Sequence, residues 1–308
     1  MELKHSLNLL ASRYSVVFRV LVYFLIMTAV CIAILVSIMT PAMDPLFNSI
    51  RDSKIIDNAV ATTMQMLIQD IPYADAVNTL SGLYNQLIGI IQDFTQELIL
   101  FYVLVSVVFF FYRLFISITS VPISSVINDY MSSSTHKSVI NALFENLWVC
   151  VKYALFATLL NQLANTVLGI IMYHIVMSTV GSWGVFSFTL VLIIALLFLS
   201  IKYTLLLGWV PIIVIEKKGV FKAFIESIRR CKQWFRYGFL SSFMLYLLVF
   251  ASVILLGVVT FFVIVPIIFV SEIVILRIIE LVCYYNAYKK RYYIDRNTII
   301  KPREELFN

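Results

Sequence analysis

Charge is scarce in this 308-residue chain: 13% of residues are Asp, Glu, Lys or Arg, 61% are apolar, and the mean hydropathy is +0.95. No water-soluble domain carries that balance, so a soluble enzyme is excluded and an integral membrane protein is expected. Cysteine is nearly absent too. Cys31, Cys150, Cys231 and Cys283 lie in or beside apolar runs with no C-x-x-C spacing, which excludes a disulfide or metal framework and leaves small core residues. His5, His136 and His174 fall in three separate segments without H-E-x-x-H spacing, so no metal site is expected. With nine glycines there is no P-loop or glycine-rich phosphate cradle, and no G-x-S-x-G elbow occurs. No catalytic residue and no cofactor are assigned.

What is present is a series of long apolar runs. The first span is expected over 14 to 39, ended by Thr40-Pro41; its apolar run is too long for a signal-peptide core. Others are expected over 97 to 120, 149 to 178, 186 to 215 with a kink at Pro211, and 238 to 260, with a sixth descending from Pro266 to the basic run at 289 to 291. MSTVGSWG (177 to 184) reads as an outer turn. The expected class is all-α, a six-span bundle within a single membrane domain covering 1 to 308.

Residues 41 to 96 carry six Asp against Arg51 and Lys54 alone, which marks an extracytoplasmic insert. Two helical patterns, 55 to 70 and 74 to 94, are separated by Ile71-Pro72-Tyr73 and predict a hairpin. Residues 216 to 236 hold seven Lys or Arg and 286 to 308 hold six, so both termini, including the tail 289 to 308, are expected in the cytoplasm. The polar, serine-rich stretch 121 to 137 reads as a linker, and 121 to 148 together with 216 to 236 as cytoplasmic linker and interfacial helices.

Residues 219 to 240 organise the chain. Val220, Phe221, Phe224, Ile225, Ile228 and Cys231 recur at helical spacing while Lys222, Glu226 and Arg230 stand four apart, predicting an interfacial amphipathic helix. Lys222, Arg229, Arg230, Lys232 and Arg236 would face anionic lipid, the expected partner of a net charge of +6 that flanks spans; nucleic acid is not expected. An echo superposes Val139 on Val220, Ala142 on Ala223, Glu145 on Glu226 and Cys150 on Cys231, and a fainter copy opens the chain at 4 to 19. Three modules, each a surface helix followed by two spans, are expected.

Four charges fall inside apolar runs: Lys202, Glu272, Arg277 and Glu280. Such residues are costly and raise a functional hypothesis by default. Arg277 and Glu280, three apart, can pair within one helix. Counting about 1.5 Å per residue puts Lys202 about 21 Å from the inner surface and Glu272 about 25 Å, so these two are expected to pair between spans. Ser200 and Lys202, two apart on a helix, point away from each other and make no catalytic dyad. Asp93 and Glu97, one turn apart, could hold a cation but read better as a solvated helix start.

The pattern P-IIVIEKKG-VFKAFIES, with Pro211, Glu216, Gly219, Ala223 and Ser227, followed by an apolar span and a prolyl turn, resembles the YciC-like inner-membrane proteins. It is similar as well to the membrane domain attached to some glycerophosphodiester phosphodiesterases. That resemblance implies a bacterial cytoplasmic-membrane location, a six-helix bundle with surface helices, and no established activity. No soluble stretch is long enough for the phosphodiesterase barrel. The expected function is a non-enzymatic scaffold, accessory or lipid-responsive envelope protein, which could act with membrane-protein partners. The alternative is a small transporter or permease subunit whose buried charges line a polar pathway.

Overall fold

The computed structural model describes residues 2–68, 70–133, 135, 137–183, 186–260, 263–294 and 298–300. His136 and residues 301 to 308 of the expected tail lie outside them. The described residues are almost entirely helical: α1 (Glu2–Ser12), α2 (Tyr14–Asp52), α3 (Ile55–Leu67), α4 (Tyr73–Asp93), α5 (Thr95–Ile118), α6 (Ser120–Ser133), α7 (Val139–Glu145), α8 (Leu147–Trp183), α9 (Phe186–Leu206), α10 (Trp209–Ile215), α11 (Val220–Arg230), α12 (Phe235–Val259) and α13 (Val265–Ala287). A two-residue antiparallel pair, β1 (Tyr292–Tyr293) and β2 (Ile299–Ile300), follows. The all-α class stands. Five stretches are long and apolar enough to cross a membrane: Tyr14–Ile38, Thr95–Ser133, Leu147–Val176, Thr189–Ile215 and Phe235–Gly257. α13, with 23 residues and three internal charges, is not among them.

The chain divides into two compact units, Thr28–Tyr112 and the remainder. In the first, α3 and α4 pack against each other as the spacing predicts. α2, however, does not end at Thr40-Pro41: it continues to Asp52 with Pro41 and Pro45 inside it. Proline removes one backbone donor per site, and Thr40 Oγ1 donates to the Val36 carbonyl (2.8 Å), supplying a side-chain donor in the affected turn. α4 stops at Asp93 and α5 starts at Thr95, so Asp93 and Glu97 flank a break at Phe94 and do not share a helix.

In the second unit α13 lies innermost, buried almost continuously from Val274 to Tyr285. α1, α6, α10 and α12 all pack on it. The stretch read as a linker is α6, one of the most enclosed helices, with Val121, Ile123, Ile127, Tyr130 and Met131 in the core. The expected kink at Pro211 is a complete break, after which α10 runs as a separate buried helix. Pro122 and Pro211 both occupy the third position of their helices, where a missing N–H costs nothing. Each ring would clash with the carbonyl four residues earlier, Ile118 or Leu207, and the preceding helix stops there. α8 runs as helix to Trp183, so 177 to 183 of the expected outer turn are helical.

Three carbonyls in the last turns before these breaks accept from neighbouring side chains. Ser227 Oγ donates to Leu205 O (3.2 Å) and Cys231 Sγ to Thr204 O (3.7 Å) at the end of α9, while Tyr23 donates to Phe115 O (3.1 Å) at the end of α5. Gly208 and Gly238 allow the close approach this requires. A Cβ on Gly208 would strike the buried Trp234 ring, and one on Gly238 would stand 2.5 Å from Leu207 Cδ1.

Candidate functional site

The amphipathic helix forms as α11, and it packs on the protein through a strip of small residues beside the predicted apolar face. Ala223 and Ser227 are fully buried, whereas Phe221, Ile225 and Ile228 are exposed. Trp209 explains the arrangement. Its indole Nε1 donates to Val220 O (2.9 Å), and its ring sits edge-on to Tyr153, Phe156 and Phe224 at 4.7, 5.5 and 5.2 Å. That aromatic box pins the first turn of α11 between α8 and α10.

A ring of charges closes over the other end. Glu216 accepts from Arg230 (2.7 Å) and pairs with Lys218 (2.8 Å), while Glu226 pairs with Lys218 (2.6 Å) and Arg230 (2.9 Å). Tyr284 donates to Glu216 (2.7 Å), and Arg230 donates to Tyr288 (2.8 Å), so the ring joins α11 to the inner end of α13. Partial burial would push the Glu216 carboxyl up, but hydrogen bonds from Lys218 and Tyr284 and the Arg230 charge hold it below its ordinary value. The bonds to Glu216 and Glu226 raise Lys218. Arg230, expected at a lipid surface, is half-buried in this ring. Lys222, Arg229, Lys232 and Arg236 remain exposed.

Glu216, Lys218, Tyr284 and Tyr288 were not singled out from the sequence as a group. A signal existed: Lys137 and Glu145 form the same pair eight residues apart, at the positions equivalent to Lys218 and Glu226.

Deeper in the unit, Arg277 and Glu280 pair at 2.8 Å within α13, as their spacing predicts. Tyr153 of α8 faces Arg277 and Ser120 of α6, and Tyr203 of α9 faces Glu280 while donating to the Leu276 carbonyl. The pair is therefore met by tyrosine hydroxyls from two other helices, α8 and α9. Lys202 does not join it, nor does it pair with Glu272. Its ammonium donates to Asn165 Oδ1 of α8 (3.1 Å). The break after α9 interrupts the continuous rise on which that pairing rests: Lys202 stands four residues, about 6 Å of rise, from the end of α9. Glu272 is half-buried with no ion pair among the described residues. Ser200 Oγ is committed to Leu196 O (2.7 Å) and does not meet Lys202.

The cysteines are free and buried, and no cluster of three metal-ligating side chains occurs among the described residues. At the chain's two ends, His5 Nδ1 and the Tyr292 hydroxyl share a hydrogen bond (2.8 Å), and Ser12 donates to Ile294 O (3.1 Å). Burial lowers the His5 pKa. No family model, no curated protein and no solved structure matches this chain.

Proposed function

We propose that this is a non-enzymatic, six-span protein of a bacterial cytoplasmic membrane, with both ends in the cytoplasm, which scaffolds membrane partners in response to anionic lipid. The observation that carries the reading is the charge ring. Glu216 and Glu226 neutralise Lys218 and Arg230, so the cations left free on this segment, Lys217, Lys222, Arg229, Lys232 and Arg236, are the exposed ones. Each near a bilayer surface contributes about 1 kcal/mol of attraction to anionic headgroups. α13 is the sixth span: at about 34 Å it is long enough, and its Arg277 and Glu280 charges are enclosed by protein. The ties from His5 and Ser12 to residues 292 to 294 support placing the two ends on one side. The likeness to YciC-like proteins belongs to this proposal, supported by the break ahead of Pro211 and the surface helix after Gly219.

A second reading, transport, has one observation in its favour: Glu272 is a half-buried carboxylate without an ion pair among the described residues. Against it, Arg277 and Glu280 are committed to each other and to tyrosines.

Extraction of the full chain from native membranes in a lipid-preserving polymer tests the proposal. Anionic lipid should be enriched in the disc, and charge reversal at Arg229, Lys232 and Arg236 should abolish that enrichment with the fold intact. Equal lipid composition for both proteins would defeat the lipid reading. Loss of a cellular phenotype in a folded Glu272→Gln variant that keeps its lipids would favour transport.

A further inference from the structure

α7, continued by the first residue of α8, and α11 expose the same apolar stripe. Ile140, Phe144 and Leu147 on one side and Phe221, Ile225 and Ile228 on the other hold equivalent positions, 81 residues apart, and all six are between 42% and 70% exposed. The shared register extends beneath them. Ala142 and Ala223 are fully buried, Cys150 and Cys231 are buried, Ser138 and Gly219 cap the helices in extended conformations, and Lys137–Glu145 matches Lys218–Glu226. In both places a lysine from the preceding loop clasps a glutamate one turn or more into the helix.

We infer that α7 and α11 are twin in-plane anchors, whose apolar triads enter the headgroup and acyl boundary of one membrane leaflet while the lysine clasp and the small buried residues fix each helix's roll. Lipid is the occupant because each stripe runs directly into a membrane-crossing helix. Only Asn146 separates α7 from α8, whose Leu155, Leu159 and Leu163 are likewise exposed; after α11 the chain enters α12 with Leu240, Met244 and Leu247 exposed. Amphipathic helices with exposed aromatic and aliphatic side chains beside cations lie in that plane. The two anchors differ in charge. α11 carries exposed Lys222 and Arg229, whereas the equivalent of Lys222 on α7 is the exposed Asn141, and Lys152 lies over the Trp148 ring (4.9 Å). α11 therefore senses anionic lipid, and α7, which carries no cation of its own, is held by apolar insertion.

This inference rests on the lipid reading above but can fail separately from it. Single nitroxide labels are placed at Ile140, Phe144, Phe221 and Ile225, with Asn141 and Lys222 as controls, in the full chain reconstituted in vesicles of phosphatidylcholine and phosphatidylglycerol. Emission from the buried Trp209 and Trp234 checks the fold. Collisions with oxygen should exceed those with a water-soluble nickel chelate at the four apolar positions and fall below them at both controls. Omitting phosphatidylglycerol should raise chelate access on α11 and leave α7 unchanged. Apolar positions open to the chelate, or closed to both reagents as in a protein-covered surface, overturn the twin anchors. Labels on α11 in lipid with those on α7 in water overturn them as well, while sparing the anionic-lipid reading. Both helices inserted with no response to phosphatidylglycerol sustain the anchors and defeat that reading.

Discussion

Arg277 and Glu280 show how a charge inside an apolar run is tolerated. The two neutralise each other at 2.8 Å, and Tyr153 and Tyr203 approach from neighbouring helices. Breaking a buried pair leaves a stranded charge, at a cost of about 3 to 5 kcal/mol, whereas replacing both partners by apolar groups is often neutral. Arg277→Met alone should therefore lower stability in mixed-micelle unfolding by about that amount, and Arg277→Met with Glu280→Leu should recover most of it. Lys202→Met combined with Glu272→Leu should show no such recovery, since Lys202 bonds to Asn165. Glu216 makes a pH prediction. Its folded pKa lies below the ordinary 4.5, so the unfolded chain binds the proton first as pH falls. The stability it contributes is present above 4.5 and is lost below it, as pH falls through the lowered folded value. Unfolding measured from pH 6 to pH 3 should show a shallower loss in Glu216→Gln than in the parent chain.

The helices themselves were legible in part, and the failures share a cause. Long apolar runs and the period of α11 were visible because lipid and water sort residues by polarity. α6 was not, because Ser120, Ser124 and Ser125 make its composition polar although they are buried against protein. The breaks were missed for a related reason: proline was read as a kink or a stop, and which one occurs depends on whether neighbours cap the freed carbonyls. At α9 Ser227 and Cys231 do so, from a helix more than 20 residues away in sequence. The Lys202–Glu272 pairing is absent where the same break falls: a rise of about 1.5 Å per residue from Glu216 to Lys202 requires one continuous helix, and the chain breaks between Leu206 and Trp209. The break also fixes a prediction. Gly208→Ala drives a methyl into the Trp234 ring, which is itself fully enclosed, and should cost about 1 to 3 kcal/mol of unfolding free energy. Gly169→Ala, in α8 with open space around it, should be neutral or stabilising by up to about 1 kcal/mol.

Across the molecule, α5 to α8 and α9 to α12 run as the same series: an apolar helix, a break, a short buried helix, a surface helix and a long helix. Arg113 and Lys202 stand nine residues ahead of Pro122 and Pro211, and the Lys–Glu clasps follow in both. In each series one helix long and apolar enough to cross a membrane precedes the surface helix and one follows it, so two crossings, α8 and α9, would separate α7 from α11. α7 and α11 then share a leaflet whatever the path of the rest of the chain. The count of crossings in between gives the test. Single cysteines at Asn141 and Lys222 should react with an impermeant maleimide only after the cytoplasmic side is opened, and one at Ser53 should react from outside in intact cells. The four native cysteines, all buried, leave a low background. Asn141 and Lys222 labelled from opposite sides would mean an odd number of crossings between α7 and α11. The matched series, the shared leaflet and the six-span arrangement would then fall together, because all three depend on α8 and α9 crossing as a pair.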